Sequence, residues 1–548
     1  MARQRPGMKA AQSHGEGNVQ KYRGNPWVVL MVVALGFFMT LLDLTIVNIA
    51  IPDMITKLHA SLDDILWVIN AYALVLAVLL ITAGRLGDLL GQRAMFIAGI
   101  VVFTLASAAC GFSTTPGMLI AFRAVQGLGA ALLMPQTLAL LTMVFPAERR
   151  GAAFGIWGAV AGVATIAGPT LGGLLVTAFD WRYIFFVNLP IGVAVTILAA
   201  FLIPDLRTGR RHRMDVAGVL LASGALLAIC YGLVDGQRYN WGKITSFISI
   251  PLVLGVGIVL FAAFLVFQAR HQDAEPLVPF ALFKDRNYSL MNFVSFSVAI
   301  GMLGIYLPFT IYLQSVLGFS ALKAGLTMAP ASLISMFVAP VAGRMSDKIG
   351  GKYILMSGLM LFGLGMGWIA VAAQPTSAWY DFLAPQVIAG VGIGCTFAPL
   401  ITIAMRNVNP AMAGAASGVF NTTRQVGTVI GTAGVGALLQ NRLLSSFTSQ
   451  AAQRAASLPG PARDKIISGF QAAAKSGLEV GSGHSLGGLT GQIFTSGFVD
   501  AMRPAMLVPI AILFVAAASC LAMKGRSSSR PEPQDPAAIA EAPTPAVG

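Results

Sequence analysis

Fourteen apolar stretches, each near the length of a membrane-crossing helix, dominate this sequence. They cover residues 27–50, 64–84, 94–112, 117–144, 151–178, 183–203, 214–234, 246–268, 288–315, 322–343, 353–373, 380–405, 413–439 and 500–523. A helix needs roughly 20 mainly apolar residues to cross a bilayer. Composition points the same way: 56% of the 548 residues are hydrophobic and 11% are charged, whereas a soluble domain carries roughly 25% charged residues. Lipid can cover so apolar an exterior and water cannot. The expected fold is an all-α polytopic membrane protein with fourteen transmembrane helices.

The bases fix an expected orientation. With the N-terminus inside, 23 Lys and Arg fall on the short inner segments and five on the short outer loops. Cytoplasmic loops carry such an excess, so both termini are expected in the cytoplasm, with the chain in a bacterial inner (plasma) membrane. Residues 1–26 are polar and basic, and the first apolar run is too long for a signal peptide. The net charge of +14 is read as this inner-loop bias. No basic segment is interleaved with stacking aromatics, so no nucleic-acid partner is expected.

One polar stretch between apolar runs occurs twice. Gly84-Arg85-Leu86-Gly87-Asp88-Leu89-Leu90-Gly91-Gln92-Arg93 returns as Gly343-Arg344-Met345-Ser346-Asp347-Lys348-Ile349-Gly350-Gly351-Lys352. Glycine, aspartate, glycine and a base stand at positions 1, 5, 8 and 10 of both. Such a repeat points to duplicated bundles. Eight spans rather than six separate the copies. The expected organisation is therefore a cytoplasmic tail (1–26), a six-helix bundle (27–203), two inserted helices with their flanking loops (204–287), a second six-helix bundle (288–523) with a long outer loop at 440–499, whose early part reads equally as an amphipathic helix on the outer face or as a flexible loop, and a disordered cytoplasmic tail (524–548). The hinges Gly84, Asp88, Gly91, Arg93 and Gly343, Asp347, Gly350, Lys352 read as a gate, each carboxylate bonding a neighbouring helix N-terminus. A tight turn with solvated charges, inherited twice, would look the same.

Chemistry has few candidates. The four cysteines have no metal spacing and the five histidines lie in termini or loops, so no metal site, no cofactor and no catalytic set is expected. Three charges sit well inside apolar runs: Asp43, Arg123 and Arg424. A charge there needs a partner or a wet cavity. Asp43 can take a proton from one side and release it to the other, or serve as a permanent structural partner of a base. Arg123 shares a helical face with Gln126, Gly127 and Ala130, and either modulates Asp43 or ties helices together. Gly158, Gly162, Gly168, Pro169 and Gly172 suggest a pivot in the fifth span, though small residues are ordinary in membrane packing. Asn421 and Arg424 form a polar face in the thirteenth span, directed at a cavity or at another helix. Gln126, Trp157, Tyr306, Phe309, Asn421 and Arg424 are candidates to line a pocket for lipophilic molecules.

Taken together these motifs resemble the major facilitator superfamily, and within it the fourteen-helix drug:proton antiporters. The two hinges, Arg123–Ala130, Gly158–Gly173, Leu42–Pro52, Trp181–Pro190 and Asn421–Gly431 carry the likeness, which extends over residues 27–523. The resemblance implies proton-driven efflux of lipophilic, including cationic, drugs by alternating access. It implies that Asp43 is the proton-coupling carboxylate, Arg123 its partner, Asp88 the gate carboxylate and Gly168-Pro169 the antiporter hinge. The expected partners are the bilayer, protons and small substrates. The expected assembly is a monomer, with any adaptor subunit left open. Gln386 and glycines stand where the second half would repeat Arg123, so the halves are not expected to be equivalent in coupling. A dedicated exporter of one natural product would carry the same motifs. A membrane sensor is disfavoured because no soluble signalling domain is present.

Overall fold

The computed structural model describes residues 24–524 except 61, 206–213, 237, 240, 273–275, 410–411, 455–467 and 470–487. The expected cytoplasmic tails therefore lie almost wholly outside the described residues. Long helices follow one another: α1 (Pro26–Ile46), α2 (Leu62–Leu90), α3 (Gln92–Gly111), α4 (Pro116–Val144), α5 (Arg150–Ala178), α6 (Asn188–Leu202), α7 (Val216–Asp235), α8 (Ile250–Arg270), α9 (Arg286–Ile311), α10 (Ala321–Ile349), α11 (Lys352–Ala372), α12 (Leu383–Met405), α13 (Ala413–Arg454) and α14 (Gly488–Ser519). Their starts are written locally. Asn25, Thr115, Asp215, Ser249, Asp285 and Ser320 each cap the helix that follows, the side chain accepting from a first-turn amide. Proline stands in the first turn of α1, α4 and α8, where its missing N–H costs nothing.

Among the described residues, twelve helices are long and apolar enough to cross a membrane, against the fourteen expected. The two outside that set are α5 and α13. Several side chains of α5 lie outside the described residues, and the apolar run of α13 is broken by Asn421, Thr422, Thr423, Arg424 and Gln425. Many apolar side chains on the outer faces are exposed, as on α8 with Leu252, Val256, Ile258, Val259 and Val266. Such a surface is stable against lipid and not against water.

Helices α1–α6 form one bundle and α9–α14 a second, and they meet along two seams, α2 against α13 and α5 against α10. Within each bundle the same device recurs. Gly99 and Gly129 let α3 and α4 touch backbone to backbone, and Gly358 and Gly392 do so for α11 and α12, since a Cβ at any of the four would collide with the facing helix. Both hinges turn on a glycine with positive φ, Gly91 at +98° and Gly350 at +90°. An L side chain is strained there.

One expectation changes. The long outer loop does not begin at 440: α13 runs on unbroken to Arg454, and α14 begins at Gly488. Leu439, Leu443, Phe447 and Ala451 recur every four residues and are buried, and Phe447 packs against Phe494 of α14 with ring centroids 5.5 Å apart. A helical stripe with a partner continues the helix past the membrane-length segment. The inserted pair carries a buried charge, since Asp235 at the end of α7 is buried. Helix α7 packs on α8 and touches both α2 and α13. The segment after α8 is pinned to the pair, with Leu277 N–H donating to Asp215 and Val278 N–H to Gln268. Leu277, Val278 and Phe264 pack with Val78 and Ile81 of α2 and Val419 of α13. The insertion thus spans the α2/α13 seam.

Candidate functional site

Asp43 lies near the end of α1, fully buried. Its carboxylate is enclosed by donors from two other helices. Arg123 of α4 pairs with it through Nη1. Gln126, one turn further along α4, donates Nε2–H to Oδ1 at 2.8 Å. Asn188 of α6 donates Nδ2–H to the same oxygen at 3.3 Å. Arg123 is fixed in turn, donating to Val68 O at 3.1 Å and to Gln126 Oε1 at 2.8 Å. Its guanidinium also lies 4.4 Å from the centroid of the Tyr72 ring. Asn188 also bonds Ser107, which donates to Phe185 O. Removing one partner of a buried pair costs about 3–5 kcal/mol, so the cluster is stable only when complete. Gln126 belongs here and not to a pocket. Asn188 and Ser107 are members that no sequence signal marked, since neither is charged. Asn188 stands in the Trp181–Pro190 motif, which was the one clue.

The hinge carboxylates do bond helix N-termini, and in both cases the helix belongs to the other bundle. Asp88 accepts from Gly414 N–H and Ala415 N–H of α13, each at 2.8 Å, and from Gln92 Nε2–H at 3.1 Å. Asp347 accepts from Gly151 N–H at 2.8 Å and Ala152 N–H at 2.9 Å, in the first turn of α5. Charge-assisted bonds at a helix N-terminus are strong. The hinge bases face the opposite way. Arg93 donates to Ala200 O at the end of α6, and Lys352 to Leu521 O and Met523 O at the end of α14. Each base therefore anchors its hinge within its own bundle while the aspartate reaches across. Gly84 abuts Gly414 and Gly418, and Gly343 abuts Gly151 and Gly155, with no room for a Cβ. Arg150 adds a bridge, donating to Thr142 O of α4 at 2.7 Å and to Met405 O of α12 at 3.1 Å. Ser417 donates to Pro135 O of α4 at 2.7 Å. These bonds hold the hinge end of the two bundles shut.

The glycines of α5 divide by neighbour. Gly162 faces Ser332 of α10, Gly168 faces Thr45 of α1, and Gly158 lies near Phe397 of α12. Gly172 is buried, and the side chain of Pro169 lies outside the described residues. The tightest approaches of α5 to α10 are at Gly151 and Gly155, outside the expected stripe. A cavity between the bundles is lined by Trp157 of α5, Ser295 and Val298 of α9, Phe397, Leu400 and Ile401 of α12, and Phe420, Asn421 and Arg424 of α13. Trp157, Asn421 and Arg424 are thus brought together. Trp157 stacks on Phe37, with centroids 4.0 Å apart. Tyr306 and Phe309 are not in the lining. Phe309 is buried against Phe382 and Tyr312, and Tyr306 lies beside Phe362, so both serve the packing of the second bundle. No group of His, Cys, Asp and Glu among the described residues is placed to hold a metal ion.

Comparison with known proteins gives the same architecture. An MFS-type transporter of Mycobacterium tuberculosis is 41% identical over 78% of this chain and 72% of its own length. The tetracenomycin C resistance and export protein of Streptomyces glaucescens is 34% identical over 91% of this chain and 92% of its own. The crystallised proton:xylose symporter XylE superposes with a TM-score of 0.55 at 13% identity, covering 83% of this chain and 95% of that one, a likeness of fold alone. Residues 33–432 match the Major Facilitator Superfamily, and the chain is a multi-pass membrane protein that belongs to this family of transporters.

Proposed function

We propose that this protein is a proton-driven antiporter that exports lipophilic small molecules, with Asp43 as the group that carries the proton. The observation behind this reading is the enclosure of Asp43 by Arg123, Gln126 and Asn188 from two other helices. All three donate to the charged carboxylate. A proton on Asp43 removes the charge they hold, releases Arg123 and loosens α1 from α4 and α6. That is a differential interaction by which a proton shifts a conformational balance. Asp88 and Asp347 act as conformational latches rather than as the proton carriers of the cycle. With α5 and α13 also crossing, the chain has fourteen spans. Both termini and the latched end face the cytoplasm of a bacterial inner membrane, as the distribution of bases favours. The latched arrangement is then the state open to the outside, in which cargo leaves and Asp43 is protonated. The transporter works as a monomer and needs no cofactor beyond the proton gradient.

A second reading keeps the mechanism and narrows the cargo to one natural product. The printed name of the Streptomyces glaucescens relative, which cites a single compound, favours it. The test is flux of a panel of lipophilic compounds from proteoliposomes with and without an imposed pH gradient. Gradient-dependent flux is expected, broad for a multidrug exporter and confined to one compound for a dedicated one. Asp43→Asn is expected to abolish it while the protein inserts normally. Flux indifferent to the gradient, or full activity of Asp43→Asn, overturns the coupling assignment.

A further inference from the structure

Arg123 and Arg424 both lie deep in apolar helices, yet their surroundings are opposite. Arg123 has a carboxylate against it. Arg424 makes no ion pair among the described residues. The one hydrogen-bond partner of its guanidinium there is Asn421, whose Oδ1 accepts from Nη2 at 3.3 Å. Asn421 is itself held, donating to Ser417 O at 2.9 Å. A guanidinium has five N–H donors in a planar fork and stays charged under all ordinary conditions. Arg424 is partly exposed, unlike the buried Arg123, yet a cation at this depth without a counter-charge is costly unless water or a ligand meets it. Here it borders the cavity between the bundles, and none of the residues lining that cavity is acidic.

The remaining polar groups of the lining sharpen the pattern. Trp157 is 4% exposed and Ser295 1% exposed. Neither Trp157 Nε1–H nor Ser295 Oγ has a hydrogen-bond partner among the described residues. An indole N–H can only donate. The cavity therefore offers a fixed cation and an unused donor, set among the rings of Trp157, Phe397 and Phe420. A cationic cargo would meet an uncompensated positive charge. In this arrangement the cavity has room for about one water, so a planar ring bearing an acidic oxygen would meet the guanidinium, the indole N–H and the aromatic walls only once the bundles part there.

We infer that the cavity selects anionic aromatic molecules, with Arg424 as the charge-recognising residue and Trp157 as a second donor. This deepens the export reading by naming its cargo class, rests on that reading only in calling the ligand a cargo, and replaces the expectation of cationic drugs. Arg424 completes its coordination with the cargo's carboxylate, sulfonate or phenolate oxygen, which stands where Asp43 stands for Arg123.

The test uses two ligands with one ring system and opposite charge, 9-anthracenecarboxylate and 9-anthracenemethylammonium. They are titrated calorimetrically into the full chain in lipid nanodiscs without a gradient. The wild type is expected to prefer the carboxylate. Arg424→Gln is expected to weaken carboxylate binding by about 10- to 100-fold, the range for one charge-assisted hydrogen bond, and to leave the ammonium no weaker. Arg424→Lys should retain part of the preference. Trp157→Phe keeps an aromatic ring, though a smaller one, and removes the N–H, so it tests the site even where Arg424→Gln does not fold. Its expected loss is about fivefold. A wild type that prefers the ammonium or binds neither ligand overturns the inference, as does unchanged carboxylate affinity in both Arg424→Gln and Trp157→Phe. Because no flux is measured, failure of the export reading would appear as carboxylate preference without gradient-driven transport. Failure of the inference would appear as such transport without the preference.

Discussion

The two bundles agree at their edges and disagree at their centres. At the edges each hinge sends its aspartate across to the other bundle and its base back into its own. At the centres the match fails. Helix α4 carries Arg123 and Gln126, which close on Asp43. Helix α12 carries Gln386, fully buried, with neither Nε2 nor Oε1 partnered among the described residues. The charge of the second bundle has moved to α13, where Arg424 borders the cavity. Duplication thus supplies the scaffold and the gate. On the reading proposed above, divergence would place proton handling in the first half and the charged part of cargo recognition in the second.

Four substitutions can break or sharpen that comparison. The largest effect is expected from Arg123→Leu, which leaves Asp43 buried without its cation. The melting midpoint should fall by an amount corresponding to about 3–5 kcal/mol, and gradient-driven flux should be lost. A melting midpoint equal to the wild type would mean that Asp43 does not depend on this pairing. Intermediate effects are expected from Asp88→Asn and Asp347→Asn. Each weakens one latch by about 1.5–3 kcal/mol, the worth of hydrogen bonds to a charged group. Distances between spin labels across the hinge end should lengthen to a comparable degree in both. A response to only one of them would show that the duplicated hinges no longer share the load. The smallest effect is expected from Gln386→Leu. It removes polar atoms that have no partner, and a substitution of similar shape there is close to neutral, within about 1 kcal/mol. A loss of flux as severe as that of Arg123→Leu would restore Gln386 as a functional counterpart.

How much of this was legible in the sequence depends on whether a residue announces its own environment. Asp43 and Arg123 did, because a charge inside an apolar run has few ways to be satisfied. The hinge aspartates did, because they recur. Their acceptor sites did not, since Gly414, Ala415, Gly151 and Ala152 contribute backbone N–H groups that every residue but proline owns. Asn188 and Ser107 were silent because neutral polar residues are common in membrane helices and their partners lie far off in sequence. The isolation of Arg424 was equally hidden. A sequence shows that a charge is present, while only the packing of α5, α9, α12 and α13 shows that no carboxylate among the described residues comes to meet it. The extension of α13 to Arg454 was only half legible, as an amphipathic stretch after 440, because the helix outlasts its hydropathy. Only a stripe at four-residue spacing continues, seated on α14.

Gly350 carries a consequence for reading mutations in this protein. A methyl group added there would meet nothing within 4 Å, yet φ is +90°. The position is roomy and still intolerant, because what it rejects is the handedness of an ordinary side chain rather than its bulk. Serine and tryptophan should therefore be nearly equal offenders at residue 350. At Gly84, where the obstacle is the backbone of Gly414, harm should grow with every atom added. Two glycines of one repeated motif thus obey different rules, one of chirality and one of volume.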